Sequence, residues 1–139
     1  MNTFDTKIIT HSHIILNRDD ILSVTAPSSE GVITLLPKHE CVLELLKEGV
    51  LTVKYGNEEE MIAIGGGYLE TDGKKMTILV SKAYHQNEIN EKLVEKALAD
   101  AQNIIQETKD AKERQIAIET IQRSKLQLKV VKKRKQYSQ

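Results

Sequence analysis

Histidines, serines and clustered carboxylates are the side chains in this sequence that could do chemistry, and their spacing decides how far each can go. His11 and His13 could share one side of a strand, but His39 and His85 are distant and the single Cys41 completes no recognisable metal set. Cys41 also has no partner for an internal bridge and is expected to be a small buried hydrophobe. Asp19-Asp20 and Glu58 to Glu60 read as charges beside turns, facing water, because adjacency in sequence does not converge two carboxylates on one substrate. Ser23, Ser28, Ser29 and Ser81 sit in no nucleophile-elbow pattern. Gly65-Gly66-Gly67 lacks the spaced glycines and the lysine-serine pair of a phosphate cradle, so it is expected to permit a bulge or a close backbone approach. No catalytic, metal or cofactor site is expected on these residues.

Lys125, Lys129, Lys132, Lys133, Arg134 and Lys135 form the strongest charge feature. At helical spacing Lys125, Lys129 and Lys132 share one side, which suits an acidic protein surface, a phosphate backbone or anionic lipid, or plain solubility. With one phenylalanine and no tryptophan, the chain lacks the stacking platform of many single-strand binders, so nucleic-acid binding would rest on charge alone.

The elements that must carry these residues change character along the chain. Its 139 residues, 40% hydrophobic and 29% charged, allow one ordinary domain or a small domain with an appendage. Period-two alternation predicts strands at Phe4–Ile9, His13–Leu16, Ile21–Ala26, Gly31–Leu36, Val50–Tyr55, Met61–Ile64, Tyr68–Thr71 and Lys75–Val80. Gly56-Asn57 and Asp72-Gly73 mark two hairpins, giving an antiparallel sandwich or flattened barrel. After His85 glycine and proline vanish and strong helix formers take over. The expected division is 1–84, a β domain, and 85–139, a two-helix domain. Asn87 is the expected first cap, followed by a stripe of Ile89, Leu93, Ala97, Ala101 and Ile104. A break at Thr108–Asp110, with Asp110 and Glu113 as a capping box, precedes a second stripe of Ala117, Ile121, Ser124, Leu128 and Val131. Zero net charge hides a polarity: residues 1–84 carry twelve acidic and eight basic side chains, and the remainder eight and twelve. No stretch reads as a secretory leader or membrane span, so membrane work would need another protein to hold this one there.

Val24-Thr25, Ser29-Glu30-Gly31, Leu36-Pro37-x-His39, then Gly66 and Leu69-Glu70, together resemble the epsilon-subunit family of bacterial F-type ATP synthases, called delta in mitochondria. The order, the intervals and the strand-to-helix transition carry the resemblance over nearly the whole chain. It implies an all-β N-terminal sandwich of about ten strands, then a C-terminal α-helical hairpin, in a noncatalytic central-stalk subunit. It implies gamma-subunit and c-ring partners, with Glu30, Gly31, Pro37, His39, Gly65, Gly66 and Gly67 as contact candidates. It implies alpha and beta partners reached through the C-terminal helices, with Lys125, Lys129, Lys132, Lys133 and Arg134 meeting the beta subunit and restraining ATP hydrolysis. Such a subunit is peripheral on the cytoplasmic side of the bacterial cell membrane, without direct insertion, nucleic acid or cofactor. Some bacterial members bind ATP through an Ile/Leu-Asp-x-x-Arg-Ala pattern, where this chain has Ile89-Asn90-Glu91-Lys92-Leu93-Val94. Leu93 cannot donate guanidinium hydrogen bonds, so weak or absent ATP binding is expected. The alternative reading is a cytosolic interaction scaffold or nucleic-acid-binding module with a basic C-terminal helix.

Overall fold

Phe4, Thr6 and Ile8 point inward along the first strand while Lys7 points to solvent, the alternation of a strand with one face on a core. The computed structural model describes residues 2–38 and 41–137, with side chains described as far as 133; His39 therefore lies outside the described residues. The chain divides into two compact units, Met1–His85 and Gln86–Gln139.

The first unit is a ten-stranded β-sandwich: β1 (Phe4–Ile9), β2 (Ile14–Ile21), β3 (Ser23–Ser28), β4 (Gly31–Leu35), β5 (Val42–Leu46), β6 (Gly49–Tyr55), β7 (Glu58–Ile64), β8 (Gly67–Thr71), β9 (Lys75–Val80) and β10 (Ala83–His85). The hydrogen-bonded order is β10-β7-β6-β3-β5-β8-β9-β1-β2, with β4 added to β3. Pairing is antiparallel except between β1 and β9. Ile8, Ile21, Leu51, Ile62, Leu69 and Ile78 are fully buried and belong to one hydrophobic cluster. Burying side chains of this size stabilises by about 1.5–3 kcal/mol each before chain entropy is subtracted. Among the described residues, Thr6 Oγ1 is the buried side-chain polar atom with no hydrogen-bond partner.

Both expected hairpins form. Tyr55 pairs with Glu58 around Gly56, whose φ is 56°, and Thr71 pairs with Met76 around Gly73, whose φ is 91°. Other boundaries differ from the sequence reading. Asp19 and Asp20 lie inside β2, which runs unbroken to Ile21 because an edge strand can turn its charges to water. Leu22 alone separates β2 from β3. β5 and β10 went unpredicted, and His11, Ser12 and His13 form the β1–β2 turn rather than part of a strand. Cys41 is exposed, not buried.

The second unit holds a short 3-10 turn (Gln86–Glu88), then α1 (Glu91–Glu107) and α2 (Ala111–Tyr137), which pack together. The cap of α1 is Asn90, whose side-chain oxygen accepts the Leu93 N–H, because the 3-10 turn occupies Asn87. Of the first stripe, Ile89 and Ala101 are buried, while Leu93 is 66% exposed with Val94 buried in its place, and Ile104 is exposed. Asp110 accepts the Lys112 N–H at the start of α2, but Glu113 accepts from the Thr108 hydroxyl instead of closing a reciprocal box. Ala117, Ser124 and Val131 of the second stripe are buried, joined by Leu126 and Val130.

Candidate functional site

In β5 the alternation is inverted relative to composition: Leu43 and Leu45 face solvent, 71% and 66% exposed, while Glu44 between them is half-buried. Leu45 pairs with Tyr68 of β8, Tyr68 with Leu79 of β9, Leu79 with Ile9 of β1, and Ile9 with Ile14 of β2. Paired residues share a face, so Leu45, Tyr68, Leu79 and Ile9 form one apolar row across four strands, and Ile14 continues it onto β2 across a register shift between Ile8 and Ile9. Ile14 is 55% exposed at the far end, and Tyr68 is exposed in the middle. The neighbouring row is Leu43, Glu70, Thr77, Lys7 and Asn17, which gives the apolar row a polar border everywhere but at Leu43, where the apolar surface widens. Isolated exposed apolar residues are ordinary; a contiguous row with a polar rim marks a docking surface.

Period-two alternation does not by itself mark this row. Its signal was available in the doublets Ile8-Ile9, Ile14-Ile15, Tyr68-Leu69 and Ile78-Leu79, where both faces of a strand are apolar. A strand needs only one apolar face to join a core, so the second face has to be explained by something else.

The sequence-predicted contact residues fall at two opposite ends of the sandwich. Gly31 pairs with Ser28, Ser28 with Leu46, Leu46 with Gly67, and Gly67 with Val80, which brings the Glu30-Gly31 turn and Gly65-Gly66-Gly67 to one end. Gly31 takes φ 123° there, and the Ser28 hydroxyl donates to its carbonyl. Gly65 N–H donates to Lys82 O and Ser81 N–H to Gly66 O, tying the glycine run to the end of β9. Pro37 is at the other end: Lys38, in a left-handed conformation at φ 66°, donates its N–H to Gly73 O in the β8–β9 hairpin.

The carboxylates at Glu58 to Glu60 are not simply solvated. Glu60 is half-buried; its Oε1 accepts the Tyr55 hydroxyl and its Oε2 lies 3.1 Å from His85 Nε2, joining β6, β7 and β10. That hydrogen bond, with burial and the carboxylate charge, pushes the Tyr55 phenol up to about 12. Arg18 of β2 lies over the Tyr55 ring, 3.8 Å from its centroid, and donates two hydrogen bonds to Asp20. This bond holds the Asp20 carboxyl below its usual range and raises the guanidinium. The cluster ties strands together, and an open cleft of about 490 Å³ lined by Asp5, Asn17, Arg18, Asp19 and Asp20 lies at its Arg18–Asp20 end. Among the described residues no group of three or more His, Cys, Asp or Glu could hold a metal ion.

In the helical unit Lys125, Lys129, Lys132 and Lys133 are exposed along α2; the Arg134 side chain lies outside the described residues. A cleft of about 180 Å³ is lined by Glu88, Asn90, Leu93, Ala97, Arg123 and Gln127, among others. Asn90 spends its amide oxygen on the α1 cap, and Arg123 is the cation in that lining. Among the described residues no helix is long and apolar enough to cross a membrane.

Residues 3–86 match the family described as "ATP synthase, Delta/Epsilon chain, beta-sandwich domain". The chain is 35% identical to the ATP synthase epsilon chain of Sulfurimonas denitrificans over 111 residues, 79% of this chain and 85% of that one. It is 30% identical to the ATP synthase epsilon chain of Herpetosiphon aurantiacus over 129 residues, 93% and 94% of the two chains. Its fold is similar to a chain in the Euglena gracilis mitochondrial ATP synthase OSCP/F1/c-ring structure, at TM-score 0.68 and 19% identity, covering all of this chain and 83% of that one. A chain of the Tetrahymena thermophila mitochondrial ATP synthase central stalk and c-ring gives TM-score 0.54 at 20% identity, covering 61% and 68%.

Proposed function

The chain belongs to the ATP synthase delta/epsilon family, and on that premise we propose that it is a noncatalytic central-stalk subunit whose sandwich holds the gamma subunit and the c-ring together. The observation that carries this reading is the outward apolar row Leu45–Tyr68–Leu79–Ile9–Ile14, which a partner protein would cover. The polar turn end with Glu30, Gly31 and Gly65 to Gly67 suits the loops of the c-ring, and Pro37 belongs to a separate contact at the opposite end. In this reading the protein is peripheral on the cytoplasmic side of the membrane, held there by its partners.

Leu45→Asp tests the row. Leu45 is already largely exposed, so the unfolding midpoint should hardly change. A charge desolvated in an apolar contact should weaken gamma binding at least tenfold, measured by calorimetry with purified gamma. Unchanged affinity would remove the row from the interface.

The helices supply the regulatory half of the proposal. Exposed Lys125, Lys129, Lys132 and Lys133 face acidic beta-subunit surface when the hairpin reaches the alpha-beta ring, and this contact restrains ATP hydrolysis. Direct ATP binding is weak or absent, since Asn90 is engaged as a cap and Leu93 offers no donor side chain. Calorimetry of the isolated chain with ATP checks this; a saturable low-micromolar complex would contradict it.

A further inference from the structure

Where α1 and α2 pack together, alanines leave space between them. Ala101 and Ala117 are buried and Ala97 is half-buried, and an open groove of about 470 Å³ lies over these small side chains. α1 lines it with Ala97, Asp100, Ala101 and Ile104, the i, i+3, i+4 and i+7 positions of one helix side. α2 repeats that spacing with Glu113, Ile116, Ala117 and Thr120. The groove thus follows both helices for two turns, about 10 Å. Ile104 and Ile116 stand beside its floor, 43% and 63% exposed. A solitary exposed isoleucine is ordinary; two of them flanking a hollow of alanines form a surface that large apolar side chains would fill.

The walls carry one sign of charge. Asp100 on α1 and Glu113 on α2 are both exposed at the groove. Among the described residues Asp100 has no hydrogen-bond or ion-pair partner, and Glu113 accepts from the Thr108 hydroxyl, a neutral group. Among the described residues no lysine or arginine lines the groove.

We infer that this groove receives a basic amphipathic helix of another protein, its apolar stripe lying on Ala97, Ala101 and Ala117 and its flanking lysine or arginine side chains pairing with Asp100 and Glu113. An alanine floor lets a third helix come within the ordinary interaxial distance of about 8–10 Å, and an acid on each wall selects a helix with cations on both flanks. A second copy of this chain fits badly. A two-fold contact would set Asp100 and Glu113 against their own copies, and the apolar side of α2 that carries Leu126, Val130 and Val131 is already buried. The groove precedes the basic row Lys125, Lys129 and Lys132 along α2, and the inference uses no contact of the stalk reading.

A synthetic peptide of about 18 residues, long enough to be helical on contact, with leucine at i, i+3, i+4 and i+7 and lysine elsewhere, is the probe. The same pattern with glutamate in place of lysine is its control. Calorimetry with the full chain should show the lysine peptide binding at least tenfold more tightly than the glutamate peptide. In the complex the methyl resonances of Ala97, Ala101 and Ala117 should shift, while those of Ala26 and Ala63, buried in the sandwich, stay in place. Asp100→Asn with Glu113→Gln should reduce the preference for lysine at least fivefold. Ile116→Lys, at an exposed position, should weaken binding of the lysine peptide at least tenfold with an unchanged unfolding midpoint. If Ile116→Lys unfolds the helices, the methyl shifts of the unaltered chain decide. Equal affinity for the two peptides overturns the inference, as does binding that leaves the three alanine methyls unmoved, or no binding of either peptide. Shifts of those methyls that grow with concentration of the chain alone make a second copy the occupant and overturn it as well.

Discussion

Tyr55 keeps its proton to high pH because Glu60 accepts its hydroxyl and a second negative charge beside that carboxylate is unfavourable. A phenol raised from about 10 in the unfolded chain to about 12 in the fold contributes stability that is whole below pH 10. That contribution is lost as pH rises through about 12. An ultraviolet titration should therefore show one of the four tyrosines ionising about two pH units late. The late step should disappear in Tyr55→Phe and move down in Glu60→Gln; a late step that survives Tyr55→Phe would refute the assignment. Sequence could not reveal this pair. Glu60 looks like the third member of an acidic run, and only the β6–β7 register, which sets Val53 opposite Glu60, and the pairing of His85 with Ile62 bring the three side chains together. Cys41 shows the converse, since residue type argued for burial and the start of β5 left it exposed.

Among the elements, the glycine run shows how one motif can hold three different constraints. A Cβ at Gly67 would fall on Leu79 O and lie within 2.8 Å of Val80 Cα, both backbone atoms of the paired β9. At Gly65 it would meet the Ser81 hydroxyl, which can rotate, and at Gly66 its nearest neighbour is Leu46 O at an ordinary 3.5 Å. Gly67→Ala should destabilise by about 3 kcal/mol or more, the upper range for overpacking, while Gly66→Ala stays within about 0.5 kcal/mol. Urea unfolding of the two variants checks this, and equal midpoints would show that β8 and β9 separate easily. The close approach was readable from three adjacent glycines between strands; which of them bears it was not, because that depends on the Gly67–Val80 pairing. The hairpins at Gly56 and Gly73 were readable for the opposite reason, since a local backbone requirement fixes them. β5 escaped because Val-Leu-Glu-Leu-Leu puts its exposed leucines where a solvent face would normally be polar, and the shifted α1 cap because Asn87 and Asn90 offer the same side chain.

At the scale of the whole molecule, zero net charge is the sum of a sandwich segment with four more acids than bases and a helical segment with four more bases than acids. The basic excess is concentrated on α2, where Lys125, Lys129 and Lys132 follow at four and three residues and so lie along one side. Against an acidic partner such a row biases the hairpin toward the position that brings it closest, and the bias falls as salt shortens the screening length to about 8 Å at physiological strength. Truncation after His85 is the cleanest probe, because it removes the second unit while keeping β10 paired with β7. In an assembled F1 complex the truncated chain should raise ATP hydrolysis several-fold over the full chain. The triple substitution Lys125→Glu, Lys129→Glu, Lys132→Glu should recover most of that rise without removing the helices, and the difference between full-length and truncated complexes should shrink as salt is added. Equal hydrolysis with and without residues 86–139, across salt concentrations, would separate the helical unit from any restraint on the catalytic ring. A rise on truncation that the triple substitution fails to reproduce would transfer the restraint from the charges to the apolar packing of α1 and α2.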